Sequence, residues 1–115
     1  MQTKQEIIDQ VINGLIEQGQ QAIEDDTCMY RSPTGLKCAI GMLISDEDYD
    51  SRMEGHGINE LLGNSWLPEN IIAIEETYPK LLRNLQSFHD SYNRKMGSFT
   101  KYLQSEKYQR EYLLL

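Results

Sequence analysis

The segment from Cys28 to Asp46, CMYRSPTGLKCAIGMLISD, restricts the fold of this chain more than any other stretch. It holds both cysteines, the turn tetrad Ser32-Pro33-Thr34-Gly35, and a glycine, Gly41, inside an apolar run. Pro33 presets its own φ and Gly35 tolerates positive φ, so the tetrad between Tyr30-Arg31 and Leu36-Lys37 predicts a tight β-hairpin over about residues 28–38. The run Ala39–Ile44 then predicts a short buried helix entered at Cys38. Within it, Gly41 marks a place where another backbone comes close.

Around that hairpin the chain reads as helices. Thr3 and Glu6 have capping-box spacing. Apolar residues at Ile7, Ile8, Val11, Ile12, Leu15, Ile16 and Ile23 then recur at helical intervals, with Gly14 and Gly19 weakening the far end and a turn expected after Ile23. Ser45 with Asp48 predicts a further capped turn, and Gly55 and Gly57 place His56 in a loop. Pro68 suits the first position of a helix through Ile71, Ile72 and Ile74. Pro79 breaks that helix, with Thr77 as a cap for the next one. Leu81, Leu82, Leu85, Phe88 and Tyr92 predict a helix reaching about Lys95. Gly97 stops it, and Ser98 starts a final helix carrying Phe99, Tyr102, Leu103 and Tyr112 to the C-terminus. The expected fold class is therefore mainly α, a single small helical domain over residues 1–115 with one short β-hairpin.

Composition narrows the function classes. Hydrophobic residues make up 39% and charged residues 25%, which favours a packed core over disorder. A net charge of −7 argues against direct nucleic-acid binding, which needs clustered Lys and Arg. Two cysteines do not make a disulfide framework and fit a reducing, cytoplasmic setting. The opening MQTKQE enters a polar helix pattern without an apolar signal region, and no apolar run is long enough for a membrane span. The expectation is a soluble cytoplasmic protein with no membrane partner and no cofactor.

Tyr30-Arg31, Gly35, Cys38-Ala39-Ile40-Gly41, Leu43-Ile44, Asp46 and Tyr49 resemble a family of small proteins from bacteriophages and bacterial genomes. Met53-Glu54-Gly55, Leu85-Gln86 and His89-Asp90 are similar to the same group. That family has no established activity. The resemblance implies a phage or prophage origin, and a bacterial host protein as partner, without implying any chemistry.

Four constellations bear on function. Cys38 at a helix start, with His89 and Asp90 as base and orienter, has the residue types of a Cys-dependent hydrolase or transferase, set against a small buried cysteine packed beside Ala39 and Ile40. Cys28, Cys38, His56 and His89 are all the cysteines and histidines of the chain, and four is the number of a closed zinc site; the spacing, however, lacks a Cys-x-x-Cys clamp. Acidic clusters at Glu24, Asp25 and Asp26 and at Asp46, Glu47, Asp48 and Asp50 allow a nucleic-acid mimic, diluted by the basic residues of the second half. Finally, Tyr102, Tyr108 and Tyr112 with Leu113, Leu114 and Leu115 crowd the tail. One helix cannot bury all of them on one side, so they predict a protein interface or a symmetric dimer, against intramolecular packing. Arg31, expected to pair with Glu54 or Asp46, joins the candidate contact residues together with Glu54. The best single expectation is a protein that binds another macromolecule, with a protein partner.

Overall fold

The computed structural model describes residues 2–24, 27–63 and 65–113, with backbone alone at Glu24, Thr27 and Cys28. It is mainly helical. Helix α1 (Lys4–Gln18) begins at the expected capping box: Thr3 Oγ1 accepts from Glu6 N–H, and the Glu6 carboxylate accepts from Thr3 N–H. The bond from Thr3 N–H, and after it the Thr3 hydroxyl, hold the exposed Glu6 carboxyl below its ordinary range. The helix ends sooner than the apolar spacing predicts. Gly19 takes φ 75° and its N–H closes on Leu15 O at 2.8 Å, so the chain leaves the helix there. Ile23 lies outside it, 37% exposed, in the two-residue strand β1 (Ile23–Glu24) paired antiparallel with β2 (Thr27–Cys28).

The hairpin expected over residues 28–38 does not form as two paired strands. The Ser32–Gly35 turn closes, with Gly35 at φ 89° and Ser32 N–H donating to Leu36 O. Beyond it stands an isolated bridge between Arg31 and Lys37. The ladder stops because side chains capture the backbone groups that would extend it. The Glu54 carboxylate accepts both Tyr30 N–H (3.0 Å) and Arg31 N–H (2.9 Å). On the other arm the Gln18 amide accepts from Lys37 N–H at 2.8 Å and donates to Lys37 O at 2.9 Å. The buried helix expected over 39–44 is likewise shorter, a 3-10 turn at Gly41–Leu43.

The second half holds α2 (Ile58–Leu61), α3 (Glu69–Thr77), α4 (Leu81–Asp90), α5 (Phe99–Gln104) and α6 (Glu106–Leu113). Pro68 sits just before α3, at its N-cap. Thr77 does not cap α4; its hydroxyl donates back to Ala73 O, and Lys80, in the left-handed region at φ 77°, precedes α4. Helix α4 ends at Asp90 rather than near Lys95, because Asn93 starts a separate 3-10 turn by accepting from Lys95 N–H. Ser98 acts as read, its Oγ accepting from Lys101 N–H at 3.1 Å to start α5, whereas Gly97 closes the 3-10 turn Arg94–Met96 and not α4.

The tail is two helices, not one. At Ser105 the backbone leaves the helix (ψ 118°) and α6 turns back along α4. The change of direction removes the geometric limit of a single helix. Tyr102 and Leu113 reach 0% exposure, Phe88 stacks on Tyr102 at 4.9 Å between ring centroids, and Tyr108 and Tyr112 are half-buried against the same core. Leu114 and Leu115 lie outside the described residues. One apolar cluster draws on all six helices, with Ile7, Leu15, Ile40, Met53, Leu61, Ile71, Leu82, Leu85 and Phe88 among its fully buried members. Among the described residues no helix is long and apolar enough to cross a membrane.

Candidate functional site

The captured turn positions a cleft. Tyr30 is pinned at three points: its N–H by Glu54, its hydroxyl by a 2.7 Å bond to His56 O, and its carbonyl by Gly41. A Cβ at Gly41 would lie 2.1 Å from Tyr30 O, so only glycine admits this approach. Glu54 also accepts from the Tyr49 hydroxyl, and the Arg31 guanidinium lies over the Tyr49 ring at 4.8 Å. Arg31 Nη2 donates to Ile44 O (3.0 Å) and meets Asp46 Oδ1 (2.8 Å). Both expected partners of Arg31 are therefore engaged, Asp46 by its side chain and Glu54 by its backbone. Arg31 and Glu54, read as contact residues, are spent on tying the turn to the following loop.

Opposite Tyr30 runs α4. Gln86 Oε1 accepts from Ile40 N–H at 3.2 Å and Gln86 Nε2 donates to Asp90 Oδ1 at 2.8 Å. Between Tyr30 and α4 lies a cleft of about 210 Å³, with Cys38, His56, Gln86 and Asp90 in its walls. It opens past Gly57, Ile58, Gln86 and Asp90 into a wider groove of about 510 Å³ between α2 and α4, where Asn59, Arg83 and Ser87 stand.

Cys38 and Asp90 thus share one cleft, as the hydrolase reading requires, but the reactive arrangement is not assembled. Cys38 is 1% exposed, its sulfur accepts from Gly41 N–H at 3.4 Å, and burial pushes the thiol pKa up to about 12. The helix expected to start at Cys38 is only the short 3-10 turn Gly41–Leu43, too short to lower the thiol pKa by its dipole. His89 is fully buried and faces the Gln21–Ala22 segment: its Nε2 accepts from Ala22 N–H at 3.2 Å, and Nδ1 meets Asp90 Oδ1 at 2.7 Å. An Nε2 that accepts assigns the proton to Nδ1 and leaves no lone pair to take a proton from a thiol. Although neighbours in sequence, His89 and Asp90 do interact, in a structural pair.

The four Cys and His residues of the metal reading divide. Cys38 and His56 line the cleft, His89 faces Ala22, and the Cys28 side chain is outside the described set. Among the described residues no three His, Cys, Asp or Glu groups converge as a metal site. His56 instead pairs with Glu60 at 3.0 Å, which with Gly57 N–H holds the Glu60 carboxyl below its ordinary range. Of the acidic clusters, Asp25 and Asp26 lie outside the described residues; Asp46, Glu47 and Asp48 are exposed. Gln18, Gln86 and Gly57 carry no sequence signal as site-forming residues, since a glutamine that replaces a strand partner follows no local pattern.

Comparison with known proteins finds no matching family model, no matching curated protein and no matching solved structure.

Proposed function

We propose that this protein works by binding a protein partner along the groove between α2 and α4, rather than by covalent catalysis through Cys38. The observation that carries the reading is the commitment of both candidate catalytic groups to the fold: the Cys38 thiol is buried and held protonated, and His89 uses both ring nitrogens internally. The groove, by contrast, is lined by polar residues of both helices, Asn59 and Glu60 from α2 and Arg83, Gln86 and Ser87 from α4. Partner surfaces of this mixed kind suit a polar, water-rimmed contact. The likeness to small phage and bacterial proteins makes a bacterial host protein the proposed partner and the host cytoplasm the proposed place of action.

The test is capture from bacterial lysate by the immobilised full chain, with Ser87→Arg in the groove and Lys107→Glu on α6 compared with the unsubstituted protein. Capture lost in Ser87→Arg and kept in Lys107→Glu supports the groove. Equal capture by all three, or capture that depends on Cys38 alkylation chemistry, refutes it.

A further inference from the structure

A further cavity, of about 360 Å³, is lined by α1, α3 and the 3-10 turn at Gly41–Leu43, and it shares no lining residue with the cleft or the groove. Its apolar lining comes from the core residues Ile7, Leu43 and Ile74, with Ala73 beside them. Asn70, Ala73 and Ile74 share one face of α3, and Ile7 and Gln10 share one face of α1, so each helix sets an exposed amide next to apolar residues. Among the described residues, none that lines the cavity is charged. A charged ligand would lose hydration there without gaining a counter-ion, so the cavity selects a neutral one.

The amides narrow the ligand further. Asn70 Nδ2 donates to Leu43 O at 2.8 Å, and Gln10 Oε1 accepts from Gln2 Nε2 at 2.8 Å. These bonds decide which atoms remain for a ligand: the Asn70 Oδ1 acceptor and the Gln10 Nε2 donor. The Asn70 bond also ties α3 to the 3-10 turn, and the Tyr78 hydroxyl donates to Gln2 O at 3.4 Å, so this polar edge is held in place before a ligand arrives. A ligand group with one donor and one acceptor complements the pair, and a secondary amide is such a group. The volume stands near the lower bound of the roughly 300–1,000 Å³ of ligand sites, which keeps the molecule small.

We infer that this cavity binds a small neutral molecule made of a short aliphatic chain and a secondary amide, the chain against Ile7, Leu43 and Ile74 and the amide paired with Asn70 and Gln10. Apolar contact supplies the affinity. The amide bonds replace bonds to water and supply the selectivity.

The full chain, labelled with nitrogen-15 at about pH 7, where carboxylates and alkylamines are charged, is titrated with N-methylhexanamide and with methyl hexanoate, hexanoate and hexylammonium. The expected result is saturable movement of the Ile7, Ala73 and Ile74 backbone signals and of the Asn70 side-chain amide with N-methylhexanamide. Hexanoate and hexylammonium should bind at least roughly ten-fold more weakly, because each brings an unpaired charge. Methyl hexanoate, which lacks the N–H, should bind roughly two- to ten-fold more weakly. Ala73→Leu, checked by thermal melt for a retained fold, should fill the space and block N-methylhexanamide. Gln10→Ala, at an exposed helical position that alanine suits, should weaken it by roughly two- to ten-fold. Unmoved signals with N-methylhexanamide, equal binding of any counterpart, or undiminished binding to either folded variant overturns the inference. Tighter binding of N-acetyl-leucine N-methylamide, a peptide unit with a branched side chain, overturns the small-molecule assignment in favour of a protein segment.

Discussion

Replacing Gly41 by alanine probes the contact on which the cleft depends. Gly41 lies in a helical turn without positive φ, where alanine ordinarily stabilises by about 0.4–1 kcal/mol. Here the added Cβ would lie 2.1 Å from Tyr30 O, 3.1 Å from its carbonyl carbon and 3.3 Å from Lys37 Cβ. The obstacle is backbone, so relief requires Tyr30 to retreat by about 1 Å or more. Tyr30 is held by Glu54 through its N–H and by His56 O through its hydroxyl, so retreat loosens both bonds. Overpacking costs about 1–3 kcal/mol, and a hydrogen bond to a charged group contributes about 1.5–3 kcal/mol. We expect Gly41→Ala to destabilise by about 3–5 kcal/mol. Urea unfolding followed by circular dichroism measures this directly, provided the slope of the transition is unchanged. Gly57→Ala, with open space and ordinary φ, serves as the control and should stay within about 1 kcal/mol. A Gly41→Ala chain as stable as the parent, or more stable, would refute the close approach and with it the wall of the cleft.

Cys38, its thiol pKa near 12, should be thiolate to only about one part in ten thousand at pH 8, so peptide mapping after iodoacetamide treatment should find it unlabelled in the native chain and labelled in urea; native labelling at a free-thiol rate contradicts the packed reading. Arg31→Met should cost about 1.5–3 kcal/mol in the same urea assay, chiefly through the orphaned Ile44 carbonyl. Asp46→Asn should cost at most about 1 kcal/mol, because the Asp46 side chain is 86% exposed against 17% for Arg31, and the reverse order would make the ion pair dominant. Removing residues 112–115 takes away Leu113, which is fully buried, and should lower stability by about 2–5 kcal/mol; a melt unchanged by the truncation would show that α6 does not pack on α4.

Much of the fold was legible where a single residue answers a local demand. The Thr3/Glu6 box, the Ser98 cap and the tight role of Gly41 follow from backbone chemistry that any neighbour in the fold must respect. The hairpin departs from expectation because its turn chemistry is correct while its ladder is replaced from afar, by Glu54 and Gln18. Turn residues report the reversal and say nothing of what satisfies the arms. In the tail, apolar spacing runs through Ser105 without interruption, yet Ser105 Oγ accepts from Tyr108 N–H at 3.4 Å and opens a new helix; the serine was the available signal. In the candidate site, the hydrolase reading joins Cys38 to Asp90 and the zinc reading joins it to His56, but neither brings all three together. Their sharing of one cleft depends on α4 crossing behind Tyr30, a long-range contact that spacing along the chain does not encode.

The most direct test of the central claim is photo-crosslinking from the groove. A benzophenone amino acid placed at Ser87 and, separately, at Asn59 should crosslink one and the same bacterial protein, since both positions line the channel. The same label at Lys107 should leave that protein uncaptured. Crosslinks to this protein from Lys107 and none from Ser87 or Asn59 would contradict the account.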